Sequence, residues 1–263
     1  SSSTVIQKES RQQYLRQLIV HCKSLREVHL DDVGTEGPKT VIQAMLDKLA
    51  TVSVDDSVHH TNTVRSLHIK GTKFDIATAQ AMQELLTQQP SSSRSSSSSI
   101  NGLTELRLCH NRFTRNQLHE TIARIAVGLK SNTSLQILDL MGNGLDDECI
   151  ATIALALSDH PAIQFLCLDF NELGTEGTRA IGCFLQTNKH IEELHLCCNG
   201  IDCAGATALA NGIRHNTSLH TLLLTVNDIG DDGVSQLAQA LTINTTLKKL
   251  WIPSNRVRYN GLS

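Results

Sequence analysis

The stretch "LQILDLMGNGL", residues 135–145, recurs throughout the second half of the chain. It is followed by "IQFLCLDFNEL" from 163, "IEELHLCCNGI" from 191, "LHTLLLTVNDI" from 219 and "LKKLWIPSNRV" from 247, so successive starts differ by 28 residues. One asparagine keeps the same step, at Asn143, Asn171, Asn199, Asn227 and Asn255. A fixed internal period of this length is the signature of a repeat architecture, in which each repeat forms one structural unit.

The repeat extends upstream with irregular spacing. "LTELRLCHNRF" from 103 precedes the next unit by 32 residues, and weaker units begin at Leu25 and Val64, each 39 residues before its successor. The eight units follow the pattern L-x-x-L-x-L-x-x-N-x-L, which is the leucine-rich repeat signature.

Each repeat predicts a strand followed by a helix. "LDL" at 138–140 alternates apolar and polar residues, whereas Ile153, Ala154 and Leu157 have helical spacing. One such unit cannot bury its apolar face alone, so neighbouring units must stack into a solenoid. Helices are about 10 Å wide and strands about 4.8 Å apart, so the stack must curve. We expect an α/β horseshoe of about eight repeats, with a parallel sheet on the concave face and helices on the convex face.

The repeat length of 28, the full helix and the "N-x-I-G-x-x-G" and "A-x-A-L" texture resemble the ribonuclease-inhibitor-like subfamily of leucine-rich repeats. That subfamily includes the repeat domains of NOD-like receptors and the GTPase-activating protein of Ran. The chain lacks the alternating repeat types and very high cysteine content of ribonuclease inhibitor. Its uniform repeat is closer to that of a NOD-like receptor.

The domain expectation is one repeat domain over residues 1–263. Residues 1–24, with Leu15, Leu18, Ile19 and Cys22, predict a helix or cap. Residues 25–102 hold two irregular repeats with insertions, including a serine-rich loop at 91–99 that serves as a linker or accepts phosphate. Residues 103–263 hold the regular repeats, the last incomplete, which suggests a segment of a longer protein or a covered end.

Two local expectations follow from departures from the pattern. The first two repeats have Val33 and Thr72 where later repeats have asparagine, so a ladder of hydrogen-bonded asparagines should begin at Asn111. The four extra residues of the third repeat equal about one helical turn and should lengthen its helix.

Composition excludes several classes of function. The net charge is −3 and no basic stripe is present, which argues against nucleic-acid binding. No apolar run has the length of a membrane span, and the eight cysteines lack a disulfide-framework spacing, so we expect a cytoplasmic protein with free thiols. Sequons at Asn132, Asn216 and Asn244 recur at repeat junctions, which explains them without glycosylation.

The strand residues between the core leucines are free to vary without harm to the fold, because backbone pairing does not depend on their identity. Apolar and aromatic anchors among polar groups are typical of a protein-binding hot spot. The predicted partner-binding residues are Glu27, His29, Asp31, His68, Lys70, Glu105, Arg107, Ile137, Asp139, Met141, Phe165, Asp169, Glu193, His195, Leu223 and Trp251. Trp251 is equally compatible with folding over an uncapped end.

The cysteines raise the question of a metal site. Cys197, Cys198 and Cys203 lie in a strand, at a bend and at a helix start, so they should not converge on one ion. Cys167 and Asp169 occupy the same strand positions as His195 and Cys197 one repeat later, which would place four possible zinc ligands in a rectangle. An open sheet does not provide tetrahedral geometry, so the sequence favours solvated side chains over a metal.

No catalytic motif such as G-x-x-x-x-G-K-[ST], G-x-S-x-G or H-E-x-x-H is present, and the sequence predicts neither an enzyme nor a cofactor. The leading hypothesis is a protein-interaction module that binds a protein ligand on its concave face, within a larger intracellular regulator or sensor. The alternative is a GTPase-activating protein of the Ran type acting in trans on a small GTPase. Partner identity and oligomeric state do not follow from the repeat.

Overall fold

The computed structural model describes residues 13, 16–17, 19, 25–32, 36–50, 64–87 and 102–257. The chain forms two compact units, Ser1–Leu135 (unit 1) and Gln136–Ser263 (unit 2). The serine-rich segment 91–99 lies outside the described residues, as do Leu15, Leu18 and Cys22 of the expected cap. Ile19 is helical and buried.

Unit 1 alternates strands with helices. Its strands β1 (Glu27–Asp31), β2 (Ser66–Lys70) and β4 (Glu105–Cys109) pair in parallel, with His29 opposite His68 and His68 opposite Arg107. The short strands β3 (Lys73–Phe74) and β5 (Arg112–Phe113) pair separately. The helices are α1 (Glu36–Ala50), α2 (Ile76–Thr87) and α3 (Leu118–Ser131). A 3-10 turn at Arg115–Gln117 precedes α3, so the third repeat does have the longer helical segment that its extra residues predict.

Unit 2 repeats one strand–helix element with little variation. Its parallel strands are β6 (Ile137–Asp139), β7 (Phe165–Cys167), β8 (Glu193–His195), β9 (Thr221–Leu223) and β10 (Lys249–Trp251). The helices are α4 (Asp147–Leu157), α5 (Thr175–Thr187), α6 (Cys203–Ile213) and α7 (Gly230–Leu241). The alternating α/β architecture with parallel strands agrees with the expected leucine-rich repeat solenoid.

The core of unit 2 lies between its strands and helices. The central residue of β6, β7, β8 and β9 is a fully buried leucine, while the residues on either side point away from it. Two helical glycines allow the helices to approach closely. A Cβ added to Gly212 would lie 2.5 Å from the carbonyl oxygen of Gly182, and one added to Gly182 would lie 2.5 Å from that of Ala208. Gly182 and Gly212 therefore allow the close spacing between α5 and α6.

Asparagines connect the strand ends, as the repeat predicts. The backbone N–H of Asn143 donates to Oδ1 of Asn171, and that of Asn171 donates to Oδ1 of Asn199, both at 3.1 Å. Asn199 continues the ladder to Oδ1 of Asn227 at 3.0 Å. In unit 1, Asn111 accepts bonds from the backbone N–H and the hydroxyl of Thr72, so it opens the ladder where predicted.

A second set of asparagines caps the helix ends. Nδ2 of Asn216 donates to the carbonyl oxygens of Leu185 and Asn188, while its Oδ1 accepts the N–H groups of Ser218 and Leu219. Asn132 and Asn244 are buried with equivalent bonds. Because the side-chain nitrogen is already donating inside the protein, the sequons serve the fold, as the repeat suggests.

His160 takes the place of the helix-end asparagine in its own repeat, 28 residues before Asn188. Its Nδ1 accepts the N–H groups of Ala162 and Ile163, but its Nε2 is buried without a hydrogen-bond partner among the described residues. Burial, followed by the charge of His190, lowers the pKa of His160 to about 4. The imidazole is therefore neutral in the folded protein at neutral pH.

Candidate functional site

The strand face of unit 2 consists of two rows of side chains that flank the buried leucines. Strand register places Ile137, Phe165, Glu193, Thr221 and Lys249 in the first row. It places Asp139, Cys167, His195, Leu223 and Trp251 in the second row. Most are half-buried, whereas Trp251 is 52% exposed and has the Lys249 ammonium 5.2 Å from its ring centroid.

Two members of the second row are less accessible than the sequence predicts. Asp139 is only 7% exposed and Cys167 only 4%. Oδ1 of Asp139 accepts the backbone N–H of Met141 at 3.1 Å, which turns the carboxylate toward the strand end. Asp139 is therefore mostly buried and holds the turn that follows its own strand, so little of its carboxylate faces solvent. Its part in partner binding stays a prediction.

His195 is the most connected side chain on this face. Its Nε2 lies 2.7 Å from Oε1 of Glu193, and its Nδ1 lies 3.9 Å from Oδ2 of Asp169. The ring of Phe165 meets the imidazole edge to face, with 4.9 Å between ring centroids. Three predicted partner-binding residues and His195 itself thus form one contiguous cluster in unit 2.

The three closely spaced cysteines lie in separate environments, as expected. Cys197 is half-buried and its backbone N–H donates to Oδ1 of Asp169 at 2.6 Å, Cys198 has a left-handed backbone with φ of 56°, and Cys203 is exposed at the start of α6. Burial and the nearby Asp169 carboxylate raise the pKa of the Cys197 thiol. Burial and the charge of Asp139 raise that of Cys167. Neither thiol is therefore an activated nucleophile.

Only part of the proposed rectangle of metal ligands comes together. Within unit 2, one ligand atom each from Cys167, Asp169 and His195 lies within 4.8 Å of the other two. Cys197 is not part of this group. A thiol, a carboxylate and an imidazole form a donor set that suits zinc.

Phe170 and Val226 form an exposed apolar ridge beside the strand face, which the sequence reasoning missed. Each precedes the repeat asparagine and has a left-handed backbone, with φ of 56° and 55°, and each is about half exposed. Their N–H groups donate to the carbonyl oxygens of Cys197 and Pro253 in the next repeat. The signal was available in the sequence, because the equivalent position in another repeat is Gly142, whose φ is 69°.

The strand face of unit 1 is polar. Arg107 Nε lies 2.5 Å from Oε1 of Glu105, and Glu105 also accepts the Ser66 hydroxyl at 3.1 Å and lies 3.1 Å from Nε2 of His68. Burial raises the pKa of Glu105. The hydrogen bonds from Arg107 and Ser66 and the nearby positive charge lower this pKa by more than burial raises it, so the net shift is downward. The rings of His29 and His68 lie at an angle of 56° to each other, with centroids 4.1 Å apart. Glu27, Asp31 and Lys70 are exposed around them.

Comparisons with known proteins agree with the repeat. A leucine-rich repeat family model matches residues 131–154, 187–210 and 215–238. No curated protein matches the chain. A solved structure described as leiomodin-1 actin-binding site 2 is similar at 23% identity and a TM-score of 0.32, over 51% of this chain and 62% of that one. The family match shows that the chain contains leucine-rich repeats. Repeats of this family typically form non-catalytic modules for protein–protein interaction, and no enzymatic family is indicated.

No helix in the described part of the chain is long and apolar enough to cross a membrane.

Proposed function

We propose that this chain, which carries leucine-rich repeats, is a protein–protein interaction module that holds a protein ligand on its strand faces. The observation that carries the proposal is the composition of the strand face of unit 2. Ile137, Phe165, Leu223 and Trp251 are apolar positions at least partly open to solvent, and they are interspersed with the polar side chains of Glu193, His195 and Lys249. Apolar and aromatic anchors within a polar surround are characteristic of interaction hot spots.

The ridge of Phe170 and Val226 adds apolar surface to the same side of the repeats. Both residues adopt a backbone conformation that is unfavourable for side chains with a Cβ. The free-energy cost is largest for a β-branched residue such as valine. The same backbone conformation recurs at His110, Cys198 and Ser254, so the turn of the repeat imposes it. What supports a role in binding is that Phe170 and Val226 place apolar side chains in solvent at this position. By contrast, Leu155 is 76% exposed on helix α4, where no strain is involved.

Unit 1 would supply charged contacts. Glu27, His29, Asp31 and Lys70 are exposed on its strand face, and Arg107 is held by Glu105. Charged groups of this kind set specificity and association rate more than affinity. We therefore assign the main anchoring contribution to unit 2.

The finer parts of the proposal concern family and context. The 28-residue repeat with a helix of 11 to 13 residues in unit 2 supports a ribonuclease-inhibitor-like repeat, as found in NOD-like receptors. The seven cysteines of the described residues are free thiols, which supports a cytoplasmic location within an intracellular regulator or sensor.

The test is affinity capture from native lysate, followed by direct binding of the captured protein to purified chain. Phe165→Ala combined with Met141→Ala should weaken binding about tenfold or more, which matches the loss of two partly buried anchors. Leu155→Ala is the matched control, because it removes an exposed apolar side chain from a helix. Thermal unfolding should show nearly unchanged stability in both variants.

Two results would contradict the proposal. One is an equal loss of binding in Leu155→Ala, and the other is an equal loss of folding in the double variant, which would make Phe165 and Met141 structural. If the captured protein is a small GTPase, accelerated GTP hydrolysis at substoichiometric amounts of this chain would favour the Ran-type activator instead.

A further inference from the structure

We propose that Cys167, Asp169 and His195 form a zinc-binding site on the strand face of unit 2. The proposal goes beyond the protein-binding function and does not depend on it. Zinc accepts thiolate, imidazole and carboxylate ligands, and it is the common biological metal that best suits this mixed set.

Strand pairing brings the ligands together. Cys167 in β7 lies directly opposite His195 in β8, and neighbouring strands are about 4.8 Å apart. Asp169 follows Cys167 by two residues. The three ligand atoms lie within 4.8 Å of one another in the metal-free protein. A tetrahedral zinc separates such atoms by about 3.3–3.6 Å, given bonds of about 2.0–2.3 Å. Side-chain movements of about 1 Å therefore suffice.

Neighbouring groups already orient two of the ligands. Glu193 lies 2.7 Å from Nε2 of His195, so a proton on Nε2 is held by this carboxylate and the lone pair of Nδ1 points away from it. Oδ1 of Asp169 is occupied by the N–H of Cys197 at 2.6 Å, which leaves Oδ2 to face Nδ1 at 3.9 Å. A carboxylate that fixes the outer nitrogen of a ligating histidine is the usual support for zinc.

The site is shielded on its inner side and open on its outer side. Cys167 is buried, and the side chains of His195 and Asp169 are 18% and 15% exposed. The open side leaves a fourth position for a water molecule or for a side chain of a protein ligand. Zinc displaces the thiol proton of Cys167 to form the Zn–S bond, and one proton is released to solvent.

The test is zinc titration of the reduced full chain in competition with a chromophoric chelator. We expect one tight site in the unmodified protein. His195→Gln and Asp169→Asn should weaken it about 100-fold, and Glu193→Gln about 10-fold, because outer-shell partners typically contribute 10–100-fold. The matched controls are Cys183→Ser and Cys203→Ser, which remove exposed thiols and should leave the affinity unchanged.

Cobalt substitution identifies the sulfur ligand. Co²⁺ bound at the site should show a thiolate-to-metal charge-transfer band that is lost in Cys167→Ser and retained in Cys203→Ser. Cys167 is buried, so its replacement can unfold the repeat, and His195→Gln then carries the test because it removes a partly exposed ligand. Absence of a tight site, or equal affinity in His195→Gln and Cys203→Ser, would overturn the proposal. Thermal unfolding without metal verifies that each variant is folded.

Discussion

The turns that end the strands differ between the two units. In unit 2, each ladder asparagine donates a hydrogen bond from its backbone N–H to the side-chain oxygen of the next asparagine. This holds for Asn143, Asn171 and Asn199. In unit 1, Thr72 stands in that place, and both its N–H and its hydroxyl donate to Asn111. The comparison shows that a threonine can replace asparagine as the donor, whereas the acceptor in each of these bonds is an asparagine. The ladder therefore constrains each repeat through the one after it.

The strand faces of the two units differ in polarity. Unit 1 holds its charged side chains in a network around Glu105, while unit 2 presents Phe165, Leu223 and Trp251 beside His195. Apart from Ser66, Asp139 and Cys167, the residues of these faces lie outside the buried core. The exposed side chains of the strand face can therefore change from polar to apolar while the turns keep the same structure. This is usual in repeat scaffolds.

The largest expected effect comes from breaking the ladder inside unit 2. Asn199→Ala removes the acceptor of the Asn171 N–H and the donor to the Leu168 and Cys197 carbonyl oxygens. These groups are buried or partly buried, and unpaired polar groups cost about 1–3 kcal/mol each. We expect the free energy of unfolding to fall by about 3 kcal/mol in urea denaturation.

Two matched variants sharpen this prediction. Oδ1 of Asn255 has no hydrogen-bond partner among the described residues, so Asn255→Ala should cost clearly less than Asn199→Ala. Asn211→Ala changes an exposed residue of helix α6 and should be nearly neutral. Equal losses in Asn199→Ala and Asn255→Ala would show that the ladder oxygen contributes little.

The second prediction concerns pH and the asparagine that His160 replaces. The pKa of His160 is about 4 in the folded protein against an ordinary value of 6.5, so the unfolded chain binds the proton more tightly. Stability is therefore full above about pH 6.5 and declines as the pH falls toward 4. The loss at pH 5 should be about 2 kcal/mol relative to pH 8.

His160→Asn should remove this part of the pH dependence, because asparagine does not titrate. His215→Asn is the control, since His215 is exposed. Urea denaturation at several pH values measures both variants. An unchanged acid slope in His160→Asn would assign the acid sensitivity to other groups.

The fold could be predicted well from the sequence because its period is enforced by physical needs. Asn171 and Leu166 recur at fixed positions, since the turn requires a buried amide and the sheet requires a buried leucine. The helix-end asparagines recur for the same reason, because their buried amides bond the backbone at the end of each helix. At His160 an imidazole replaces the amide and accepts only the backbone N–H groups. Thr72 shows that the ladder start was also visible in the sequence.

The candidate surface was less predictable because it depends on side-chain direction. Alternation alone places Asp139 and Cys167 on the open face, but a hydrogen bond to the Met141 N–H turns the first inward and neighbouring side chains cover the second. Phe170 was missed for a different reason. A left-handed backbone at that position is imposed by the bond between its N–H and the next repeat, and its sequence signal was the glycine at the equivalent positions 71 and 142.

A third prediction tests whether the polar network of unit 1 stabilises its strands. Glu105→Gln removes the charge that Arg107 and His68 face, although the amide can still accept hydrogen bonds. The side chain is mostly buried, so we expect a loss of about 1 kcal/mol in the free energy of unfolding at pH 7. Because the pKa of Glu105 is lowered, the stabilisation is present above its ordinary value of 4.5 and is lost as the pH falls below it.

Glu193→Gln provides the comparison in unit 2. Glu193 pairs with His195 but is more exposed than Glu105, so the same change should cost less than half as much. Urea denaturation of both variants at pH 7 decides the point. A larger loss in Glu193→Gln would show that the polar contacts of unit 2, rather than those of unit 1, stabilise the strands.

The smallest expected effect is a gain in stability. Val226 is half exposed with a φ of 55°, a conformation that costs a β-branched residue about 1–2 kcal/mol and that asparagine tolerates. Val226→Asn should therefore raise the free energy of unfolding by about 0.5–1 kcal/mol. Val127 is equally exposed but lies in helix α3, so Val127→Asn should be neutral or slightly destabilising. If Val226→Asn also weakens capture of the protein ligand, the Val226 side chain contributes to affinity although its backbone conformation lowers stability. That result would support a binding role for Val226. Destabilisation in both variants would instead show that the Val226 side chain supports the fold.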